Sequence, residues 1–123
     1  MLDLDDLIKK YNELKVASEL SFEEVASLKN IMGVYMIYDN NNSLLYIGKT
    51  NKFNIRFGTD LKHESTHTLV SKLINNGSFE DRYQVKDFLI NKCCFRIMQC
   101  NSNREAEALE HLAIYLLNPL MNK

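Results

Sequence analysis

Residues 33–48 read GVYMIYDNNNSLLYIG, and the fold turns on how that stretch is divided. Two short apolar runs, 33–38 and 44–47, flank a turn of Asp39, Asn40, Asn41, Asn42 and Ser43. β-Branched and aromatic residues favour strands, and asparagine favours turns, so the stretch predicts a hairpin. Side chains alternate along a strand, so Tyr35 shares a face with Gly33 and Ile37 while Tyr38 points the other way. Tyr46 lies on the second strand, Gly48 and Lys49 close it, and Arg56 follows soon after. Phenols on neighbouring strands, followed at once by cations, pose a choice between packing and chemistry.

Working outward, residues 1–30 predict two helices. Leu4, Leu7, Ile8, Tyr11 and Leu14 recur at helical spacing, and Ser21-Phe22-Glu23-Glu24 has the form of a capping box. Beyond Lys49 the pattern turns helical. Asn51 or Asn54 could cap a helix containing Arg56. Thr66 or His67 could open a second, with Leu69, Val70, Leu73 and Ile74, that stops at Asn76-Gly77. Residues 78–91 predict a short helix from Asp81 and then a loop. Cys93 to Cys100 predicts a strand. Ser102-Asn103-Arg104-Glu105 predicts another capping box, opening a helix that ends before Pro119. The expected fold is α+β: a small, mostly antiparallel three-stranded sheet flanked by helices, with an N-terminal helical extension.

The bulk properties narrow the function classes. A chain of 123 residues fits one domain. No apolar run approaches the roughly 18 residues of a membrane helix, and the acidic start MLDLDDLIKK lacks the layout of a secretory signal, so the expected location is the cytoplasm. Cys93, Cys94 and Cys100 form no C-x-x-C pair and are expected as buried thiols. The formal net charge of −1 does not advertise nucleic-acid binding, yet the charge is segregated. Residues 1–30 carry seven acids against four lysines, while residues 49–72 carry Lys49, Lys52, Arg56, Lys62 and Lys72 against Asp60 and Glu64. A local basic patch governs phosphate affinity more than the sum does.

Two kinds of polar residue stand in apolar surroundings. The tyrosines could be cross-strand packing pairs. A phenol, with a reference pKa of about 10, becomes a base near neutrality only beside strong positive charge, for which Lys49 is the obvious source. Glu110 shares a helical stripe with Ala106, Ala113 and Leu117, which turns a carboxylate toward the core. It is either an ordinary helix-surface glutamate or a buried acid that needs a partner, a metal or a proton. Glu105 and Glu107 lack that placement and are expected as a cap and a solvent-facing charge.

Gly33-Val34-Tyr35, Tyr46-Ile47-Gly48-Lys49, Arg56, Glu110-His111 with Ile114, and Pro119 with Asn122 resemble, in that order, the GIY-YIG nuclease family. The tail is similar to the E-H-x-x-I…P-x-x-N ending of the nuclease domain in the bacterial nucleotide-excision repair incision protein. The resemblance covers residues 31–123 as a nuclease domain and leaves 1–30 as the extension. It implies Tyr35 as general base for the attacking water and Tyr46 as the residue that positions that water or the phosphate. It implies close backbone approach at Gly48, a phenolate-stabilising cation in Lys49, and charge neutralisation on the scissile phosphate by Arg56. Glu110 would be the one protein ligand of a divalent metal, Mg²⁺ or Mn²⁺, and Asn122 a support for the site. His67, or alternatively His63, would match a histidine of some members, though either could be a plain surface residue. Lys52 and His63 join the expected substrate-binding set.

The implied activity is metal-dependent endonucleolytic hydrolysis of DNA, with RNA not excluded. The alternative is a non-catalytic nucleic-acid-binding or protein-interaction module on the same fold. Mg²⁺ keeps several waters and often takes only one or two protein carboxylates, so a single glutamate is sufficient. The chain is expected to be weakly specific, recruited by a protein partner, or a homodimer. The acidic extension could dock a partner, dimerise, shield the basic site or simply pack on the core.

Overall fold

The computed structural model describes residues 4–29, 31–52, 68–75 and 77–122. Two helices, α1 (Leu4–Lys15) and α2 (Phe22–Ala26), precede β1 (Gly33–Asp39) and β2 (Leu44–Thr50). Then come α3 (Thr68–Asn75), α4 (Arg82–Lys92), β3 (Cys93–Gln99) and α5 (Asn103–Leu117). The helix expected around Arg56 falls outside the described residues, as does the choice of Thr66 or His67 to open α3. The sheet has the order β2-β1-β3 and is antiparallel throughout. That is the α+β architecture expected from the sequence.

The hairpin turn is built by Asp39, whose Oδ1 accepts the N–H groups of Asn41 and Ser43 at 2.9 Å each. Asn42 takes the left-handed conformation, φ 63°, which asparagine tolerates better than most residues. The central strand β1 then separates two cores by alternation. Tyr35 and Ile37 join Tyr46, Phe95, Phe22, Val25, Leu73, Val85 and Leu89 on one face, under α2, α3 and α4. Val34, Met36 and Ile47 join Tyr11, Leu14, Ala106, Leu109 and Ala113 on the other, under α1 and α5. Tyr38 packs on this second face, opposite Tyr35. Burying each large aliphatic side chain contributes about 1.5–3 kcal/mol.

The extension is part of these cores. Tyr11 and Leu14 of α1 enter one, and Phe22 and Val25 of α2 enter the other. Only part of the α1 stripe is used, because Leu4 and Ile8 stay exposed. Ser21 forms the full capping box with Glu24. Lys10 pairs with Glu105 at 3.4 Å, which ties α1 to the start of α5.

Three local expectations need correction. Residues 82–92 form one helix that runs directly into β3, with no loop between them. Asp81 caps it by accepting the Gln84 N–H, and Val85 and Leu89 bury one narrow line along it. At the start of α5, Ser102 accepts the Glu105 N–H, but the Glu105 carboxylate reaches the Asn101 N–H at 3.0 Å instead of Ser102. Glu105 is therefore a buried residue, holding both that N–H and Lys10. Asn118 ends α5 in the left-handed conformation, immediately before Pro119. The cysteines are free thiols, with Cys100 buried and Cys93 and Cys94 partly so. Burial, aided by Asp39, pushes the Cys93 thiol up to about 12. Burial, aided by Glu105, pushes Cys100 up to about 11. Both are thus poor thiolates.

Candidate active site

The site is built on β2, an edge strand whose outer side needs partners for its backbone groups. After α5 the chain doubles back along that edge. Leu120 and Met121 donate their N–H groups to the Leu44 and Leu45 carbonyls at 3.3 and 2.7 Å. Asn122 then grips Ile47 with both ends of its carboxamide. Its Oδ1 accepts the Ile47 N–H and its Nδ2 donates to the Ile47 carbonyl, each at 2.8 Å. The Ile47 backbone therefore faces away from β1, and the strand period of two places the Lys49 N–H on the same outer edge. The Glu110 carboxylate, which α5 brings to the end of β2, lies near enough to that N–H for it to favour the ionised carboxyl. Asn122 and Glu110 thus occupy successive outward positions on one strand edge, roughly 6.5–7 Å apart along the chain.

Glu110 sits on the core-facing stripe as the sequence spacing implies, its side chain 16 % exposed. Burial raises its carboxyl above the ordinary carboxylate range. His111, the Lys49 charge and the Lys49 N–H pull it back down. His111 Nε2 lies 3.6 Å from Oε1. Among the described residues no group of three or more His, Cys, Asp or Glu could hold a metal. Among the described residues the donor is thus a single hard, partly desolvated carboxylate. It fits a hydrated Mg²⁺ or Mn²⁺, which keeps several waters and takes one or two protein carboxylates.

The tyrosines stand on the other side of the strand. Tyr35 pairs with Gly48 across the hairpin, and its ring lies over the glycine. A Cβ on Gly48 would run into the Tyr35 hydroxyl oxygen and lie 2.5 Å from its Cζ. The glycine is a cradle for a phenol. Tyr46 shares that face, its ring centroid 6.1 Å from that of Tyr35 and tilted by 37°. Both residues are buried, Tyr35 fully and Tyr46 almost so.

Lys49 departs from the role suggested by its position in the sequence. It pairs with Val34, so alternation sends its side chain to the α5 face. There its Nζ donates to Asn103 Oδ1 at 3.1 Å. The ammonium is aimed at the Glu110 side of the sheet, away from the Tyr35 face. Among the described cation–ring contacts, the one that meets this tyrosine pair is Lys72 of α3, 5.7 Å from the centre of the Tyr46 ring. Lys52 is exposed just past the strand, its backbone folded onto Thr50. Arg56, His63 and His67 lie outside the described residues. The sequence marks Lys72 only as part of the basic segment 49–72 and Asn103 only as part of a capping box, and neither as a site residue.

The GIY-YIG catalytic domain matches residues 31–123, and the chain belongs to that family. The N-terminal endonuclease domain of UvrC from Thermotoga maritima has the same fold. One tyrosine point mutant of that domain, bound to its catalytic divalent cation, superposes with a TM-score of 0.55 at 18 % identity. The match covers 82 % of this chain and 92 % of that one. The magnesium-bound form of the UvrC domain gives 0.53 at 19 % identity, covering 82 % and 93 %. An asparagine-to-alanine mutant of the domain, also bound to its catalytic divalent cation, gives 0.53 at 18 % identity over 82 % and 92 %. No curated protein matches the chain in sequence.

Proposed function

We propose that this chain is a metal-dependent endonuclease that hydrolyses DNA phosphodiester bonds. The observation that carries the reading is the Gly48 cradle. It holds the Tyr35 phenol beside Tyr46 on the strand whose outer edge presents Glu110. Glu110 would hold Mg²⁺ or Mn²⁺, which when bound supplies Lewis-acid stabilisation of negative charge on the phosphate. Tyr35, as its phenolate, takes a proton from water as the water oxygen bonds to phosphorus; with Lys49 turned to the other face, the positive charge that favours the phenolate would come from Arg56. The bond from phosphorus to the leaving oxygen breaks, and that oxygen departs as an alkoxide that must gain a proton. Tyr46 orients the water or the phosphate. Arg56 offsets the charge that builds on the phosphate, and its planar fork suits two oxygens at once. Lys52 and His63 belong to the proposed binding surface, and His67 to the proposed catalytic set. Asn122 has both ends of its carboxamide engaged with Ile47 and acts by holding β2 straight beside the site.

DNA is the proposed partner in the cytoplasm, with a homodimer or a recruiting protein supplying specificity. Among the described residues no helix is long and apolar enough to cross a membrane. The test is cleavage of labelled single-stranded, duplex, branched and plasmid DNA with Mg²⁺ or Mn²⁺. We expect cleavage that stops in excess chelator and in Glu110→Ala, with DNA binding largely kept. Full activity under either condition would remove Glu110 from the metal. Binding without cleavage by the unmodified protein would leave the non-catalytic module as the answer.

A further inference from the structure

We propose that Lys72 is a positioning residue for Tyr46, an inference that rests on the nuclease reading of the site. Its side chain joins three elements that meet at one tyrosine. Lys72 is carried by α3 and is half-buried. Its Nζ donates to the Met121 carbonyl at 2.9 Å. The same ammonium lies 5.7 Å from the centre of the Tyr46 ring. Met121 in turn donates its N–H to the Leu45 carbonyl, and Asn122 grips Ile47 from both sides. Residues 45 and 47 flank Tyr46. Its backbone is therefore clamped before and after by the returning C-terminal segment, and its ring is met by a cation pinned to that same segment. A cation over an aromatic ring is attracted by the ring's electron-rich face and so favours one ring orientation. Neighbouring Leu73 is buried in the core, which fixes the helical turn that aims Lys72. With the backbone and the ring both held, the direction of the Tyr46 hydroxyl is set before substrate arrives. That is the preorganisation a water-positioning group needs.

Lys72→Met keeps the aliphatic stem and removes the ammonium, while Lys72→Arg keeps a charged donor. We expect Lys72→Met to slow single-turnover cleavage at saturating enzyme by about tenfold. DNA affinity should change much less, and Lys72→Arg should recover most of the rate. In a Tyr46→Phe background, where the hydroxyl is already gone, Lys72→Met should cost nothing further, the non-additivity expected of a residue acting through another. A second readout needs neither DNA nor metal. In protein labelled on its tyrosine rings, the Tyr46 signals are identified by their loss in Tyr46→Phe. Lys72→Met should shift those signals and leave the exposed Tyr83 and Tyr115 signals in place. Unmoved Tyr46 signals overturn the proposal whether or not the protein cleaves DNA. Fully additive losses of rate also overturn it. If the unmodified protein cleaves nothing but the Tyr46 signals move, the nuclease reading fails and the lysine–tyrosine linkage stands.

Discussion

The two outer edges of the sheet are closed in opposite ways. On β3, the edge is met by backbone and apolar packing. Leu20 and Phe95 exchange N–H···O bonds at 2.7 and 2.9 Å, Phe95 is fully buried against Phe22, and Arg96 is tied to the Ala17 carbonyl. On β2, the edge is met by polar side chains, the Asn122 carboxamide and the Glu110 carboxylate, with Lys72 bracing the segment that carries the first. An edge must be covered to prevent pairing with another chain, and either solution achieves that. The second places a largely buried carboxylate there, where the β3 edge has the solvent-facing Arg96–Glu19 pair, and burial holds that carboxyl above its usual pKa. Stability should therefore reside at the β3 edge and chemistry at the β2 edge.

The largest expected break in that contrast is Glu110→Gln, a near-isosteric change that keeps an acceptor near the Lys49 N–H. Loss of the metal-binding charge should cost on the order of 10³-fold or more in cleavage. Stability should move the other way. A carboxyl whose folded pKa is raised binds its proton more tightly folded than unfolded. The ionised form therefore costs stability above the folded pKa, and the cost shrinks as pH falls below it and is gone below the unfolded, ordinary carboxylate pKa. Without metal, Glu110→Gln should melt at the same or a slightly higher temperature at pH 7, and the gain should shrink in acid and vanish below the ordinary carboxylate pKa of the unfolded chain. Thermal melts in chelator at both pH values check this. A clear loss of stability at pH 7 would make Glu110 a structural residue.

Tyr35→Phe comes next. The ring stays in its cradle and only the hydroxyl goes, so we expect a loss of about 10²–10⁴ in single-turnover rate with little change in melting. Tyr38→Phe, on the other face beneath Arg96, should be mild. Equal effects at the two positions would show that the phenols serve packing.

Much of this was legible in the sequence, and where it was not, tertiary contact is the reason. Strand alternation correctly separated Tyr35 from Tyr38, and the helical stripe correctly turned Glu110 inward. Alternation also contained the answer for Lys49. Tyr46 and Gly48 share a face and Lys49 does not, but adjacency in the chain suggested a cation for the tyrosines. The length of α4 was hidden because Val85 and Leu89 are its only fully buried residues, among Arg82, Gln84, Lys86 and Asp87. Glu105 looked like an ordinary box residue because its second partner, Lys10, lies on another helix. Lys72 was illegible for the same reason. Its partners are a carbonyl and a ring that come together only when α3 meets the end of the chain.

The smallest effects test the contrast most directly, by removing one side-chain clamp from each edge. Asn122→Ala leaves the outward N–H and carbonyl of Ile47 without their partner in a partly buried place. That should cost about 1–3 kcal/mol. It should also slow cleavage per folded molecule, since β2 would lose its hold next to Tyr46 and Lys49. Arg96→Met removes the 3.0 Å bond to Ala17 and the 3.2 Å pair with Glu19, but Glu19 is half exposed. A solvent-facing ion pair contributes about 0–1 kcal/mol, and the Leu20–Phe95 backbone pair would still close that edge. We therefore expect a small fall in melting temperature and an unchanged rate per folded molecule. Urea melts give the two stabilities, and single-turnover rates corrected for the folded fraction give the two activities. If Arg96→Met slows cleavage as much as Asn122→Ala does, the edges are coupled through β1, and the division of stability from chemistry is wrong.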